Sequence, residues 1–270
     1  MGGGGVTGVA WELGLLAGLA EAGIDPTAAD LYVGTSAGSV VAAQVTSGTP
    51  IEELYARQLA PPAGELAARI GRALMVRGAW AMLRSRQGEA FRKRIGAMAL
   101  KARTPTEAER REVIAGRLGD LAWPDKRLLI TACDAYTGVF TVFQAGSGVS
   151  LVDAVGASCA VPGVWPPVTI GDTRYIDGGM RSATNADLAE DCDRVVIIAP
   201  IALGGGPVGK LADEARLLGR TAEVVTVSPD KPAREAIGRN VLDPAFRAAS
   251  ARAGREQAAR VAEDVKRVWG

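Results

Sequence analysis

Two features of this sequence bear on chemistry before any fold is considered. Gly34-Thr35-Ser36-Ala37-Gly38 has the Gly-x-Ser-x-Gly spacing of a nucleophile turn, and none of the 270 residues is a histidine. Glycines two positions either side of a serine let a strand and the following helix approach closely in a sharp turn. Such a turn holds the hydroxyl at the positive end of a helix, where charge developing on the oxygen is favoured. Without imidazole, a serine–histidine–aspartate triad is impossible, and the base for Ser36 must be a carboxylate or a lysine. The pentapeptide alone also fits a tight strand-to-helix turn with a capping serine. An apolar strand before it and a helix-forming run after it supply the context that the nucleophile reading requires.

Among the carboxylates, Asp177 has the most informative surroundings. Tyr175-Ile176-Asp177-Gly178-Gly179 reads as a strand ending in a loop whose two glycines admit another backbone. The same triplet is also a common turn. An aspartate with an ordinary pKa of about 3.9 is a poor base for a hydroxyl. Burial beside the serine would raise its proton affinity. The glycine-rich start, Gly2 to Gly8, reads in two ways. Gly3-x-Gly5-x-x-Gly8 satisfies a dinucleotide fingerprint, with Asp25 or Asp30 as the ribose contact, but only Met1 stands where a strand should precede it. Alternatively, several glycines ahead of a helix leave unpaired backbone donors aimed at one point, as a tetrahedral oxyanion needs.

The elements that must position these groups follow from periodicity and breakers. Trp11, Leu15, Leu16 and Leu19 recur at helical spacing until Gly23 and Pro26. Strands are expected at Leu31–Val33, 128–134, 139–145, 194–200 and 223–229, and 174–179 reads as a strand ending in a loop. Residues 50–118 read as helical, broken at Pro61-Pro62 and near Thr104-Pro105, and helices are also expected at 151–158 and about 244–269. Alternating strands and helices predict an α/β chain with a mainly parallel central sheet covered on both faces.

Bulk properties narrow the class further. A net charge of +1 argues against binding nucleic acid through bulk electrostatics, and 48% hydrophobic residues suit a globular core. Cys133, Cys159 and Cys192 show no paired spacing and have no histidine co-ligand, so neither a zinc site nor a disulfide framework is supported and three buried thiols are expected. No leader pattern or long apolar run is present, and the protein is expected to be cytoplasmic, with no metal and no cofactor.

Taken together, GGGGVTG at 2–8, GTSAG at 34–38, ASCAVPGVWPPV at 157–168 and DGG at 177–179 resemble the patatin-like phospholipase family in order and spacing, from the first residue to about residue 200. The resemblance implies a three-layer α/β/α fold and hydrolysis of lipid acyl esters by a serine–aspartate dyad. Carried over, it makes Ser36 the nucleophile, Asp177 the base and the backbone of Gly3, Gly4 and Gly5 the oxyanion hole, with Gly8, Gly34, Gly38, Gly178 and Gly179 as motif glycines. Two departures stand out. Thr7 occupies a position where the family usually has Arg or Lys, and family members carry an apolar strand before the glycines. The sequence is therefore expected to be short at its amino terminus.

The whole of 1–270 is expected to form one hydrolase domain of this type, with a basic helical insertion at about 50–118. From Leu66 to Arg103 that insertion carries Arg69, Arg72, Arg77, Arg84, Arg86, Arg92, Lys93, Arg94, Lys101 and Arg103 against Glu89. Leu74, Met75, Trp80, Met82, Leu83, Ile95 and Met98 are interleaved among them. Such a stretch could lie on an anionic membrane surface, or be an ordinary helical insertion with solvated arginines. Pro162 and Trp165, in the proline-rich run, are candidate substrate contacts or part of a buried loop. The expected function is hydrolysis of a lipid ester, of the phospholipase A or lysophospholipase kind, through an acyl-enzyme. A catalytically silent lipid- or protein-binding module and a nucleotide-binding oxidoreductase are the alternatives.

Overall fold

In the computed structural model, which describes residues 1–61, 68, 69, 71–85, 87–202 and 204–270, with the side chains of 72–75 also set aside, helices and strands alternate along the chain. The first half runs α1 (Gly5–Glu21), β1 (Leu31–Gly34), α2 (Ala37–Val45), α3 (Ile51–Leu59), α4 (Arg72–Leu83), α5 (Gly88–Ala99) and α6 (Glu107–Leu118). There follow β2 (Arg127–Asp134), β3 (Phe140–Phe143), α7 (Leu151–Ser158), β4 (Val168–Ile170) and β5 (Thr173–Asp177). The chain ends with β6 (Arg194–Ile198), α8 (Leu211–Leu218), β7 (Glu223–Val227), α9 (Lys231–Ile237) and α10 (Arg247–Trp269). Of the sequence expectations, Leu66, Arg86 and the Pro62 half of the helix break lie outside the described residues, as do the side chains of Arg72, Leu74 and Met75.

β2 is the axis of the larger sheet. Leu128–Cys133 are all buried, so both faces of the strand are covered. α7 packs against β2 and β5, α2 against β1, and α10 against β6 and β7. The strand pairings correct one expectation. β1–β2 and β6–β7 are parallel, whereas β2–β3, β2–β5 and β4–β5 are antiparallel, so the sheet is mixed rather than mainly parallel. For two of these three pairs the cause is local: β2–β3 and β4–β5 are joined by tight turns around Gly138 and Gly171, both at positive φ, and a short turn can only join antiparallel strands.

The register of β2 decides where the site forms. Its residues 127–130 pair with β1, 132–134 pair with β5, and 130–133 pair with β3. A strand has two edges, so β1 and β5 share one of them in succession while β3 takes the other. β1 runs with β2 and β5 against it, so the C-terminal ends of β1 and β5 point at each other across Thr131. Gly34 pairs with Ile130 on one side, and Asp177 pairs with Ala132 on the other.

Met1 and Gly2 bridge the two sheets. The Met1 ammonium donates to Val33 O at 2.9 Å, Thr35 N–H donates to Met1 O at 3.2 Å, and Gly2 N–H donates to Ile198 O at 2.9 Å. Below them, the outer edge of β1 and β6 line a groove of about 660 Å³. Behind the sheet, α1 and α10 pack along their length, with Trp11 Nε1 donating to Gln257 Oε1 at 3.1 Å. Trp11, Leu13 and Leu15 have no exposed surface, and each buried side chain of this size contributes roughly 1.5–3 kcal/mol.

The helical insertion docks through α5. Phe91, Ile95 and Ala99 form a cluster with Ala81, Cys133, Ala135 and Ile176, so this apolar face belongs to the core. Arg92 Nε donates to Gly138 O at 2.6 Å, which gives that arginine a structural tie, while Lys93 and Arg94 remain exposed. Cys133 and Cys159 are buried, but Cys192 is only half-buried, because the sheet edge at β6 covers it incompletely.

Candidate active site

Ser36 follows β1 and precedes the first turn of α2, in a conformation its residue type rarely adopts. Its φ of 52° and ψ of −117° lie outside the regions ordinary side chains favour, at a cost of order 1–3 kcal/mol. Its neighbours over-determine the geometry. Ser36 N–H donates to Ser158 Oγ at 2.9 Å, and Ser36 O accepts from Ser39 Oγ at 2.6 Å and from Cys159 Sγ at 3.3 Å. The flanking glycines are there for space. A Cβ on Gly38 would lie 2.2 Å from Met1 O, and one on Gly34 would lie 2.5 Å from the Ser39 Cα. Gly38 N–H donates to Gly2 O at 2.9 Å, which ties the serine turn directly to the glycine-rich start.

Asp177 ends β5 and is 3% exposed. Its Oδ1 accepts from Gly179 N–H at 2.7 Å, and its own N–H donates to Ala160 O at 3.0 Å. A Cβ on Gly178 would lie 2.3 Å from Thr131 Oγ1, so only glycine lets the chain pass β2 at this point. Burial pushes the carboxyl up to about 6, against opposing pulls from the Ser36 hydroxyl, the Gly179 amide and the Arg110 charge. The structure therefore brings Ser36 and Asp177 near each other, close enough for the serine side chain to pull the carboxyl down against the push of burial.

A buried polar network holds the two loops in place. Asn185, in the left-handed region at φ 47°, places Nδ2 3.0 Å from Thr35 Oγ1, 3.3 Å from Thr131 Oγ1 and 3.3 Å from Gly178 O. Thr35 Oγ1 and Thr131 Oγ1 are themselves 2.9 Å apart. Asn185 was not singled out in the sequence, and although Ser158 and Cys159 lie in the ASCAVPGVWPPV run, nothing in their spacing marks them as neighbours of Ser36.

The cavity at Ser36 measures about 30 Å³, and Gly5, Val6, Ser36, Ala37, Cys159 and Trp165 contribute to its wall. Two helix N-termini meet here: Gly5 and Val6 begin α1, and Ala37 begins α2. Among the described residues, the amides of Gly4, Gly5, Val6 and Ala37 donate to no protein acceptor, whereas Gly3 donates to Ala183 O at 2.8 Å. The oxyanion set expected from sequence is corrected accordingly. Gly3 passes beside the serine, its Cβ position 3.5 Å from Ser36 Cβ, but its amide is committed; Gly5 and, unforeseen, Ala37 line the cavity, with Gly4 just before them in the chain. The rule that a nucleophile's next residue donates to the oxyanion would have found Ala37.

Trp165 lines the cavity at 5% exposure, while Pro162 lies in the tight turn that holds it and does not reach the wall. Gly8 lies one turn into α1, where its Cβ position is 3.3 Å from Pro200 Cβ and 3.5 Å from the Cβ of Ala37, the residue after the serine. The dinucleotide reading finds no support in the geometry. Asp25 is engaged with Thr27 beyond the far end of α1, and Asp30 precedes β1 at its end remote from the glycines. Among the described residues, no group of three or more His, Cys, Asp or Glu side chains could hold a metal ion. No helix among them is long and apolar enough to cross a membrane.

A family model for patatin-like phospholipases matches residues 1–190, and the chain belongs to that family of lipid hydrolases. No curated protein sequence matches it significantly. Among solved structures, VipD from Legionella pneumophila is similar at 13% identity and a TM-score of 0.46, covering 97% of this chain and 66% of its own. The type III effector ExoU is similar at 19% identity and a TM-score of 0.43, covering 98% of this chain and 52% of its own. The chain thus spans two-thirds or less of either structure's length.

Proposed function

We propose that this protein hydrolyses lipid acyl esters, of the phospholipase A or lysophospholipase kind, through a Ser36–Asp177 dyad and an acyl-enzyme. The observation that carries the proposal is the head-on approach of β1 and β5 across Thr131, which delivers a strained serine to a buried carboxylate. Ser36 Oγ attacks the ester carbonyl carbon as its proton passes to Asp177. The carbonyl oxygen takes up negative charge and is held by the amides of Gly4, Gly5 and Ala37 at two helix N-termini. The tetrahedral adduct collapses, the C–O bond to the alcohol breaks, and the alcohol leaves with the proton from Asp177. Water then attacks the carbonyl carbon of the Ser36 ester, giving its proton to Asp177; the C–O bond to Ser36 Oγ breaks, Asp177 returns the proton to that oxygen, and the fatty acid departs. An aspartate suffices as base because burial has raised its proton affinity towards that of imidazole.

The lipid surface is met by α4. Val76, Trp80 and Leu83 recur at i, i+4 and i+7 and are 69%, 52% and 86% exposed, with Arg77 and Arg84 alongside. A stripe of this kind, apolar with basic flanks, suits an anionic bilayer surface. Its neighbour Ala81 packs in the cluster that contains Ile176, so the stripe is anchored next to the Asp177 strand.

A fluorophosphonate that phosphonylates active serines tests the dyad. Labelling mapped to the Ser36 peptide, lost in Ser36→Ala and slowed in Asp177→Asn, is the expected result. Wild-type protein that resists labelling and turns over no p-nitrophenyl ester would overturn the proposal in favour of a silent binding module.

A further inference from the structure

The dyad loops are tied together by Asn185, and the amide of Asn185 is in turn held by a charge that the ester chemistry does not use. Arg181 follows the short 3-10 turn Gly178–Met180, its own N–H donating to Gly178 O at 3.0 Å. Its Nη1 donates to Asn185 Oδ1 at 2.9 Å and to Asp187 Oδ1 at 2.8 Å, while Nη2 donates to Asp187 Oδ2 at 2.5 Å. The guanidinium lies 4.3 Å from the centre of the Phe140 ring, on β3. Asp187 and Phe140 therefore fix the fork from two sides, and one corner of it meets Asn185.

Asn185 has no exposed surface, and the two ends of its amide face opposite kinds of partner. Nδ2 faces Gly178 O at 3.3 Å and Ser182 O at 2.9 Å, which can only accept, besides the hydroxyls of Thr35 and Thr131. Oδ1 faces Arg181, which can only donate. The torsion that turns an asparagine amide is soft, so its partners decide where it settles. Without Arg181, Oδ1 becomes a buried acceptor whose donor has been removed, and such a group draws in water or turns away. A turned amide sets Oδ1 against two carbonyl oxygens. It also lets go of Thr35, the residue before Ser36, and of Gly178, the residue after Asp177.

We infer that Arg181 is a positioning residue of the active site: by holding the Asn185 amide in one orientation, it fixes the Ser36 and Asp177 loops against each other. This rests on the hydrolase reading of Ser36 above. Arginine suits the task better than lysine. Its planar fork meets the carboxylate with two nitrogens, still presents a hydrogen to the amide, and lays its face on an aromatic ring. The Arg181 side chain is 30% exposed and that of Asp187 27%, so the clamp closes near the surface rather than in the core. Its loss is felt in the geometry of the dyad more than in the stability of the fold.

The test follows a short p-nitrophenyl ester with Arg181→Met, whose stem keeps the apolar contact with Phe140. Active sites are counted by fluorophosphonate uptake at completion, so that unfolded protein does not enter kcat. Misplacing reacting groups by about 1 Å costs on the order of 10²-fold, and part of that is expected here: kcat per site should fall by about 10-fold with KM within about twofold of wild type. Because Arg181 acts through Asn185, adding Arg181→Met to Asn185→Leu should lower kcat by less than about twofold more. An Arg181→Met kcat within about twofold of wild type, or a further loss of about 10-fold in the Asn185→Leu background, would overturn the inference.

The second measurement needs no turnover. The side-chain amide protons of Asn185 and the Gly179 N–H, which donates to Asp177 Oδ1 at 2.7 Å, are followed by NMR in wild type and in Arg181→Met. Both should shift and exchange faster with solvent in Arg181→Met. Arg216→Met, which removes an exposed pair with Asp213, should leave them in place. That result supports the positioning role even if no ester is turned over, in which case only the hydrolase reading fails. Unchanged Asn185 amide signals in Arg181→Met would overturn the inference whatever the kinetics.

Discussion

Asn185 Nδ2 lies 3.0 Å from Thr35 Oγ1, and the same amide nitrogen is 3.3 Å from Gly178 O. One buried side chain therefore joins the residue before Ser36 to the residue after Asp177. Its own conformation is left-handed, which asparagine tolerates better than most residues. Asn185→Leu removes the tie and leaves Thr35 and Thr131 with a lost partner in the core. Because a displacement of about 1 Å between reacting groups can cost on the order of 10²-fold, kcat is expected to fall by about that factor. KM for a short p-nitrophenyl ester should change little. A kcat within threefold of wild type would show that the dyad holds its geometry without this residue.

Asp177 gives the activity a pH signature. Its carboxyl is raised by burial to about 6, and only the ionised form can accept the serine proton. The kcat/KM profile should rise with an apparent pKa of about 6 and then level off, with no second limb from imidazole. The same shift has a stability sign. The unfolded aspartate ionises near its ordinary value while the folded one resists until about 6, so stability from this group is complete below about pH 4 and is lost as pH rises to about 6. The loss is on the order of 3 kcal/mol at most. Asp177→Asn should therefore abolish turnover yet raise the melting temperature at pH 7. An inactive variant that melts lower at pH 7 would contradict this account.

Much of this arrangement was legible in the residues. The strand, the Ser36 turn and the helix after it are local, since the glycine spacing and the apolar run between residues 31 and 45 act on adjacent positions. The expectations missed where contacts are long-range. That β5 runs against β2 depends on the turn at Gly171 and on pairing between residues more than forty apart, so the sheet read as mainly parallel. Gly3 looked like an oxyanion donor because nothing in Gly2–Gly8 shows that Ala183 O takes its amide. Arg110 was hidden in an acidic-and-basic helix whose buried face becomes apparent only when Trp165 covers it. The basic insertion mixed two faces: Phe91 and Ile95 point into the core, while Trp80 and Leu83 face solvent.

The exposed stripe on α4 predicts interfacial behaviour. Replacing Val76, Trp80 and Leu83 together by serine removes apolar area that is already in solvent, so the folded state should lose little stability. Co-sedimentation with vesicles of anionic phospholipid should fall by about tenfold or more. Hydrolysis of a soluble short-chain ester should stay within about twofold of wild type. Unchanged vesicle binding would remove α4 from the lipid surface. A further comparison at raised salt should weaken the wild-type protein more than the triple variant if Arg77 and Arg84 contribute.

The contact between α1 and α10 bears at long range on the amides at the start of α1. A Cβ on Gly14 would lie 1.9 Å from Ala251 O, so the two helices touch backbone to backbone at this level. Gly14→Ala cannot be absorbed by a side-chain rotation, because the obstruction is a carbonyl, and α1 must move away from α10. Overpacking of this kind costs about 1–3 kcal/mol, and the upper end is expected here, reduced by about 1 kcal/mol for replacing a helical glycine. The displaced helix is the one whose first residues, Gly5 and Val6, line the Ser36 cavity. Gly14→Ala should therefore lower both the melting temperature and kcat, although the substitution lies more than two helical turns from the serine. Gly78→Ala in α4 is the matched control, since nothing among the described residues lies within 4 Å of its Cβ position. That variant should gain up to about 1 kcal/mol of stability and keep its kcat. Equal behaviour of the two variants would show that α1 and α10 can separate without disturbing the fold.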